Sequence, residues 1–470
     1  MATKPPATDD SRATRAVLLI AGVGLAARAV LAALAPITTD EAYYVDWARH
    51  LAPGYLDHPP LVAWLVVGPL RLLGRHELAV RFPSLLLQVG TTLLAASLAR
   101  AWAGARAAVL AAALLQVAPV FSVGAVLATP DAPLAFAWVG TLWAVDRALR
   151  RDRRLFLLAG AFLGMAALAK LTAGLLAAGV LVALLATPDG RRALATPWPW
   201  LGAALALLLA SPMLLWNAEQ GWPSFAFQLR HGLSGRSFSW ARMAQSVGAQ
   251  AAYVSPVVLA LAAAAAWRAL RSGPAQAPAR LAAALTALPV AAFFTLSAAR
   301  TPGALPHWPA PAWLSALLLL ASAGTRWVKL ALWTGGAVVA ALLLALALPI
   351  PWASPLDELR GWEEPVEAAR RLDPAARLAT THWMAVGHLG WRSDEPLAYV
   401  SDRLAGPTFY PPSAPDPRPL LLIAPTGLGP DRAKLEELLG PLEERGEVAA
   451  TWHGRVVRQY RLYAPRAPDP

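Results

Sequence analysis

The chain contains no cysteine. That excludes disulfides, thiolate nucleophiles and cysteine-based metal sites. Charge is scarce as well: Asp, Glu, Lys and Arg make up 15% of the 470 residues, and hydrophobic residues reach 57%, against about 25% and about 45–50% in an ordinary soluble chain. No glycine-rich pattern opens a helix after a strand, so neither a P-loop nor a dinucleotide fold is indicated and no nucleotide is expected. His382 and His388 are six apart, which is not a usual zinc spacing. No short-period repeat is visible, and no duplicated half of the kind that marks many transporters.

What the chain does have is apolar runs of about 16–25 residues, long enough to cross a hydrocarbon core of about 30 Å. Lipid offers no partners to backbone amides, so such spans must be helical. The net charge of +12 would suggest nucleic acid on a soluble protein. Here the basic residues fall in short loops between apolar runs, as the positive-inside rule expects. Lys4, Arg12 and Arg15 precede the first run, and Arg100 and Arg106 bracket a short turn. The densest cluster is Arg147, Arg150, Arg151, Arg153 and Arg154; then come Arg191 and Arg192, Arg268, Arg271 and Arg280, and Arg326 with Lys329. Placing these on the cytoplasmic side predicts about eleven spans, at 14–36, 78–99, 105–125, 132–149, 155–169, 171–186, 198–216, 246–270, 280–299, 308–323 and 327–349.

The expected architecture is a polytopic α-helical membrane protein with a small C-terminal α/β domain. Residues 1–13 are expected to be a disordered cytoplasmic tail, 14–349 the membrane domain with its first outer loop at 37–77, and 350–470 the extracytoplasmic α/β domain. Ala33-Leu34-Ala35 imitates a signal-peptide cleavage site, but the run before it is longer than a usual h-region and carries Arg28, so it is expected to be retained as a span. Residues 61–74 are apolar, short and interrupted by Pro69, which suggests an interfacial or re-entrant helix. In the C-terminal part, helices are expected over 362–372 and 431–439. Strands are expected over 397–401, 420–424, 447–452 and 456–462, with a turn at His453-Gly454.

This topology puts a set of polar residues on the extracytoplasmic face: Asp40, Glu41, Asp57, His58, Asp131, Lys170, Asn217, Glu219, Arg300 and His307. Ionisable groups near a bilayer are costly and usually functional. Asp40 or Glu41 could act as a general base toward an attacking hydroxyl; equally, Thr39 or Asp40 could cap a helix through 42–50. Asp57-His58-Pro59-Pro60 could position a phosphate, a metal or a sugar hydroxyl, or form a turn. Asp131 stands at a helix start, where a carboxylate is favoured anyway. Lys170 and Arg300 break the positive-inside pattern, and an anionic ligand such as phosphate would account for them. Asp40, Asp57 or Asp131 could ligate a divalent cation, although no spacing demands one.

Six segments in order carry a resemblance: Asp40-Glu41-Ala42-Tyr43-Tyr44, Asp57-His58-Pro59-Pro60, Thr129-Pro130-Asp131-Ala132-Pro133, Ala169-Lys170-Leu171-Thr172-Ala173, Leu215-Trp216-Asn217 and His307-Trp308-Pro309-Ala310-Pro311. Together they resemble the bacterial dolichyl-phosphate-mannose-protein mannosyltransferase superfamily, to which the lipid A aminoarabinose transferase is related. The resemblance spans roughly residues 14–350. It implies a GT-C-type fold, a sugar donor linked to polyprenyl phosphate, and inverting transfer on the extracytoplasmic side. It also implies that Asp40 is the catalytic base, Glu41 its paired acid, and Asp131 the acidic site of the next outer loop. Where the aminoarabinose transferases often carry acidic-Lys-Pro, this chain reads Asp57-His58-Pro59.

The expected function is therefore a glycosyltransferase of the bacterial inner membrane acting on a lipid, glycan or protein acceptor. Asp40 and Glu41 would be catalytic; Asp57, His58, Asp131, Lys170, Asn217, Arg300 and His307 would bind donor and acceptor. The alternative is a secondary transporter or flippase of a lipid-linked or anionic substrate.

Overall fold

The apolar runs form helices, and their ends fall where the sequence supplies breakers. The computed structural model describes residues 7–233, 235, 237–301, 307–324, 326–348, 355–393, 395–400 and 418–466. The chain divides into two compact units. The first comprises residues 1–33, 53–62 and 81–342; the second gathers residues 34–52, 63–80 and 343–470.

The described residues of the first unit are helical, joined by turns and loops. Helix Ala7–Leu34 starts earlier than expected, so residues 7–13 of the supposed tail are ordered. Arg100 ties this end down, bonding Thr14 Oγ1 at 3.0 Å and lying 3.4 Å from the Asp10 carboxylate. The expected turn between Arg100 and Arg106 is a break inside the long Glu77–Val117 helix, at Ala103 and Gly104, where Gly104 takes φ +81°. The third run ends at Val117 rather than 125, because Ala118 is extended before Pro119 and a short helical turn follows. Asp131–Arg150, Phe156–Ala169, Ala173–Ala186, Pro197–Glu219, Pro278–Arg300, Ala310–Ala321 and Val328–Ala347 match their predicted runs to within a few residues. Leu61–Leu73 forms the short helix expected there.

One predicted span is not a single rod. Residues 246–270 are split into Trp240–Val254 and Pro256–Ser272, bent by 101° at Ser255, which has φ +78°. Pro256 removes a backbone donor and crowds the preceding turn, so the helix cannot run through. Among the described residues, five helices are long and apolar enough to cross a bilayer, or seven if each of two bent pairs counts as one span. The fourteen-residue helices Phe156–Ala169 and Ala173–Ala186 measure only about 21 Å each, short of a full crossing.

Small residues let these helices approach closely. Gly160 and Gly164 on Phe156–Ala169 face Gly202 and Ala206 on Pro197–Glu219: a methyl at Gly160 would lie 2.0 Å from the Gly202 carbonyl oxygen, and one at Gly202 would lie 2.2 Å from that of Phe156. This is the small-xxx-small packing of membrane helices. Gly160→Val is expected to force the pair apart and to cost at least about 2 kcal/mol, in the range of overpacked cores. A thermal unfolding midpoint in detergent equal to wild type would show that the contact is dispensable.

The second unit is built on a five-stranded sheet. The strands are β1 (Arg377–Thr380), β2 (Ala398–Tyr399), β3 (Leu420–Pro425), β4 (Leu442–Trp452) and β5 (Arg455–Pro465), in the order β2-β1-β3-β5-β4. β2, β1 and β3 run parallel, whereas β5 is antiparallel to both its neighbours. β3 reads as a continuous apolar run and is buried from Leu421 to Pro425, as a central strand covered on both faces should be. β4 and β5 form a hairpin turning on His453 and Gly454, at φ +48° and +77°, the mirror-image turn favoured between twisted strands. Helices Glu364–Leu372, Trp383–Arg392 and Arg432–Leu439 complete the layers. Strand β1 and helix Trp383–Arg392 were not anticipated from the sequence.

Candidate functional site

In the first unit four of the predicted polar residues converge. Asp131 opens helix Asp131–Arg150 without capping it. Lys170 is the extended residue that ends helix Phe156–Ala169, and its side chain is almost wholly buried. Its Nζ donates to Asp131 Oδ1 at 2.8 Å. His307 Nε2 lies 4.0 Å from Asp131 Oδ2, and His58 is within electrostatic reach of the same carboxylate. The residues therefore come from the first loop, the 128–131 loop, the 170–172 turn and the segment before Ala310–Ala321. Beside Asp131 lies a small cavity of about 30 Å³ lined by Gln88, Phe121, Ala132 and Pro311 among others, enough for about one water.

The surrounding backbone is held by residues to which the sequence assigned no part in the site. Arg28 is buried; its Nε donates to Ser122 O at 2.8 Å and its Nη2 to Phe121 O at 3.1 Å. Gln88 Nε2 donates to Phe121 O at 2.8 Å, and Arg81, fully buried, donates to Ala32 O at 3.0 Å. These carbonyls lie at helix breaks or ends, where an unpaired oxygen in an apolar setting is costly. A charge inside an apolar run, already visible at Arg28, was the signal that could have pointed to this role for Arg28 and Arg81.

Asn217 is a different case. It is fully buried; its Nδ2 donates to Met213 O at 3.0 Å and its Oδ1 accepts from Ser224 N at 3.1 Å. Ser224 Oγ then donates to Tyr55 O at 2.6 Å, and Gln228 Nε2 donates to Asp57 O. The amide predicted to bind ligand is engaged in pinning residues 54–57 of the first loop, so its contribution is to shape. Arg300 is the exposed last residue of Pro278–Arg300, and its guanidinium makes no ion pair among the described residues. The structure thus joins Lys170, His307 and His58 around Asp131 without bringing Arg300 into ion-pair contact there. Residues 302–306 lie outside the described residues. Among the described residues no three His, Asp or Glu side chains are grouped to hold a metal ion.

Asp40 and Glu41 belong to the second unit, and their environments differ sharply. Helix Thr39–Arg49 is capped by Thr38, not by Thr39 or Asp40. Thr38 Oγ1 accepts from Glu41 N at 3.3 Å, while Glu41 Oε2 accepts from Thr38 N at 3.0 Å, a reciprocal capping box. Glu41 is wholly buried in that role; Asp40 beside it is exposed. The helix is then clasped by Trp383–Arg392. A methyl at Gly387 would lie 2.6 Å from Ala42 C and Tyr43 N, so the two backbones are nearly touching. Arg49 donates to Gly390 O at 3.0 Å, and Arg75 donates to the carbonyls of Gly390, Trp391 and Ser393. Tyr43 packs edge-on against Trp383 with ring centres 5.2 Å apart.

His388 is the pivot of this contact. Its Nε2 is 3.0 Å from Thr39 Oγ1, and its ring stacks on Trp362 at 4.3 Å. Burial, reinforced by the nearby Arg458 and Arg392, pushes its pKa from 6.5 down to about 3. The imidazole is therefore neutral in the fold, whereas an unfolded chain takes up a proton below 6.5. Stability from this group is present above that pH and is lost as pH falls toward about 3, at about 1.4 kcal/mol per pH unit. His388→Gln, which can keep the bond to Thr39, should be less stable than wild type at pH 7, and the gap in unfolding temperature should narrow by pH 5. A constant gap would mean that His388 is not buried neutral.

The chain's similarities to known proteins agree with this architecture. The family model described as dolichyl-phosphate-mannose-protein mannosyltransferase matches residues 57–216. The lipid A galacturonosyltransferase RgtD of Rhizobium johnstonii is 26% identical over 208 residues, which cover 41% of this chain and 44% of that protein, so the match spans under half of the relative's length. Crystal structures of ArnT from Cupriavidus metallidurans, one bound to undecaprenyl phosphate and one apo, each superpose with a TM-score of 0.65. They cover 96% of this chain and 98% of theirs at 19% and 21% identity. The fold is of the GT-C type, helical with a small sheet domain. The chain thus shares the fold of ArnT and resembles the mannosyltransferase family model over residues 57–216.

Proposed function

We propose that the protein is a membrane glycosyltransferase that moves a monosaccharide from polyprenyl phosphate to an extracytoplasmic acceptor, most simply a lipid, with inversion. The observation that carries this reading is the Lys170–Asp131–His307 cluster, a buried cation and acid built from separated loops of a GT-C-type fold. A polyprenyl-phosphate sugar brings its own activation in the phosphate leaving group. The protein must then bind an anion, orient a hydroxyl and accept a proton.

In this reading Asp40 takes the acceptor hydroxyl proton. The freed oxygen attacks the anomeric carbon opposite the phosphate; the carbon–oxygen bond to phosphate breaks and its electron pair leaves with the phosphate. Lys170, with Arg300, balances the phosphate charge. Asp131, Asp57, His58 and His307 order the sugar head and the acceptor. The catalytic face is extracytoplasmic, the N-terminus cytoplasmic, and the protein resides in a bacterial inner membrane. Mass spectrometry of envelope glycolipids and glycoproteins from cells with and without the protein tests this: a glycosylated species should disappear with the protein, and identical profiles would count against transfer.

A further inference from the structure

The small cavity beside Asp131 is bounded by two side chains that each keep an acceptor to spare. Gln88 reaches it from the Glu77–Val117 helix and Asp131 from the start of Asp131–Arg150. Gln88 is only 4% exposed. Its amide can point one way only. Phe121 O is an acceptor, so Nε2 faces that carbonyl at 2.8 Å and Oε1 turns away from it. Among the described residues Oε1 accepts no hydrogen bond, yet it is not sealed in protein: it keeps open surface, and the cavity is the space that Gln88 lines.

Asp131 is as one-sided. Its Oδ1 accepts from Lys170 Nζ at 2.8 Å, whereas Oδ2 has His307 Nε2 at 4.0 Å, beyond hydrogen-bond length. The side chain is 28% exposed, so this oxygen is open too. An amide oxygen and a carboxylate oxygen left without donors in an apolar setting are costly. Both are acceptors, so neither can satisfy the other. They need a guest with two O–H donors. Water is such a guest, and about 30 Å³ suits one molecule with two polar partners. A cation has less reason to enter, since Lys170 already balances the carboxylate. The rest of the lining is largely apolar, with Val120, Ala125, Ala132 and Ala135 among it.

We propose that this cavity holds one ordered water that donates to Gln88 Oε1 and to the Asp131 carboxylate, which makes Gln88 a positioning residue for Asp131. Arg28 and Gln88 both grip Phe121 O. The water carries that anchorage on to Asp131, which Lys170 holds from its other oxygen. The water site stands without any assignment of function; its effect on transfer rests on the role given to Asp131 above.

Ala135 offers a test that leaves Gln88 and Asp131 untouched. It lines the cavity one turn beyond Asp131 on the same helix face. Ala135→Val fills the space with methyl groups. Ala135→Thr has nearly the same shape but brings a hydroxyl that can stand in for the water. In a structure of the full-length protein in lipid nanodiscs, at a resolution that shows waters, a peak should lie within hydrogen-bond reach of Gln88 Oε1 and Asp131. It should be gone in Ala135→Val. Transfer from a polyprenyl-phosphate sugar should fall about tenfold in Ala135→Val, the worth of one hydrogen bond, and be largely restored in Ala135→Thr. An empty cavity in the wild type, or equal transfer by the two variants of an active enzyme, would overturn the proposal. If either variant fails to fold, the wild-type map still decides. A bridging water in a wild type that transfers no sugar would sink the transfer reading and leave the water site standing.

Discussion

Asp40→Asn is expected to fold as the wild type does and to lose sugar transfer by about 100- to 10,000-fold. The fold arm follows from position. Asp40 is exposed in the first turn of its helix, and the cap is made by Thr38 and Glu41 instead. An amide of the same shape forfeits only a first-turn charge, about 0.3–1 kcal/mol. The activity arm follows from chemistry, because an amide cannot accept the acceptor's proton. Glu41→Ala should behave in the opposite way: it removes a buried capping partner and costs about 1–2 kcal/mol, with activity falling only as the folded fraction falls. Transfer from a polyprenyl-phosphate sugar, measured together with unfolding temperature, separates the two. Near-normal turnover by Asp40→Asn would remove Asp40 from the mechanism, and a folded but inactive Glu41→Ala would move the base to Glu41.

Lys170→Met is expected to destabilise the first unit by about 3–5 kcal/mol, because it strands the Asp131 carboxylate without its partner. Asp131→Asn should cost less, since the remaining ammonium can still donate to the amide oxygen. The double variant should recover part of the loss: removing both charges removes the stranding, so the two effects couple. Transfer should not recover in the double variant, since a cation for the leaving phosphate would still be missing. A double variant that is simply additive in stability would show that the 2.8 Å pair is energetically idle.

How much of this was legible in the sequence depends on range. Apolar runs and charge placement are local signals, and the helices formed nearly where they indicated. Asp131, Lys170 and His307 were each visible as polar residues beside apolar runs, and they meet around one carboxylate. Asn217 gave the same local signal for a different reason. Its partners are Ser224 and Met213, and only the fold shows that its amide is already engaged. The bend at Ser255 was hidden because Pro256 sits in an otherwise unbroken apolar stretch. Helix Trp383–Arg392 was hidden because Gly387 and Gly390 read as breakers. Gly387 is there for closeness to Ala42 and Tyr43, a contact with residues more than three hundred positions away.

That separation has a consequence for how the protein is made. Helix Thr39–Arg49 buries Glu41, Tyr43, Tyr44 and Trp47, yet Thr39 and His388 are 349 residues apart. At ribosomal speeds of about 5–20 residues per second, the early helix waits roughly 17–70 s for its clasp. The sheet closes later still, because β5 sits between β3 and β4 and is the last strand synthesised. During that interval a sticky aromatic face stands uncovered while the intervening hydrophobic segments are threaded into the bilayer.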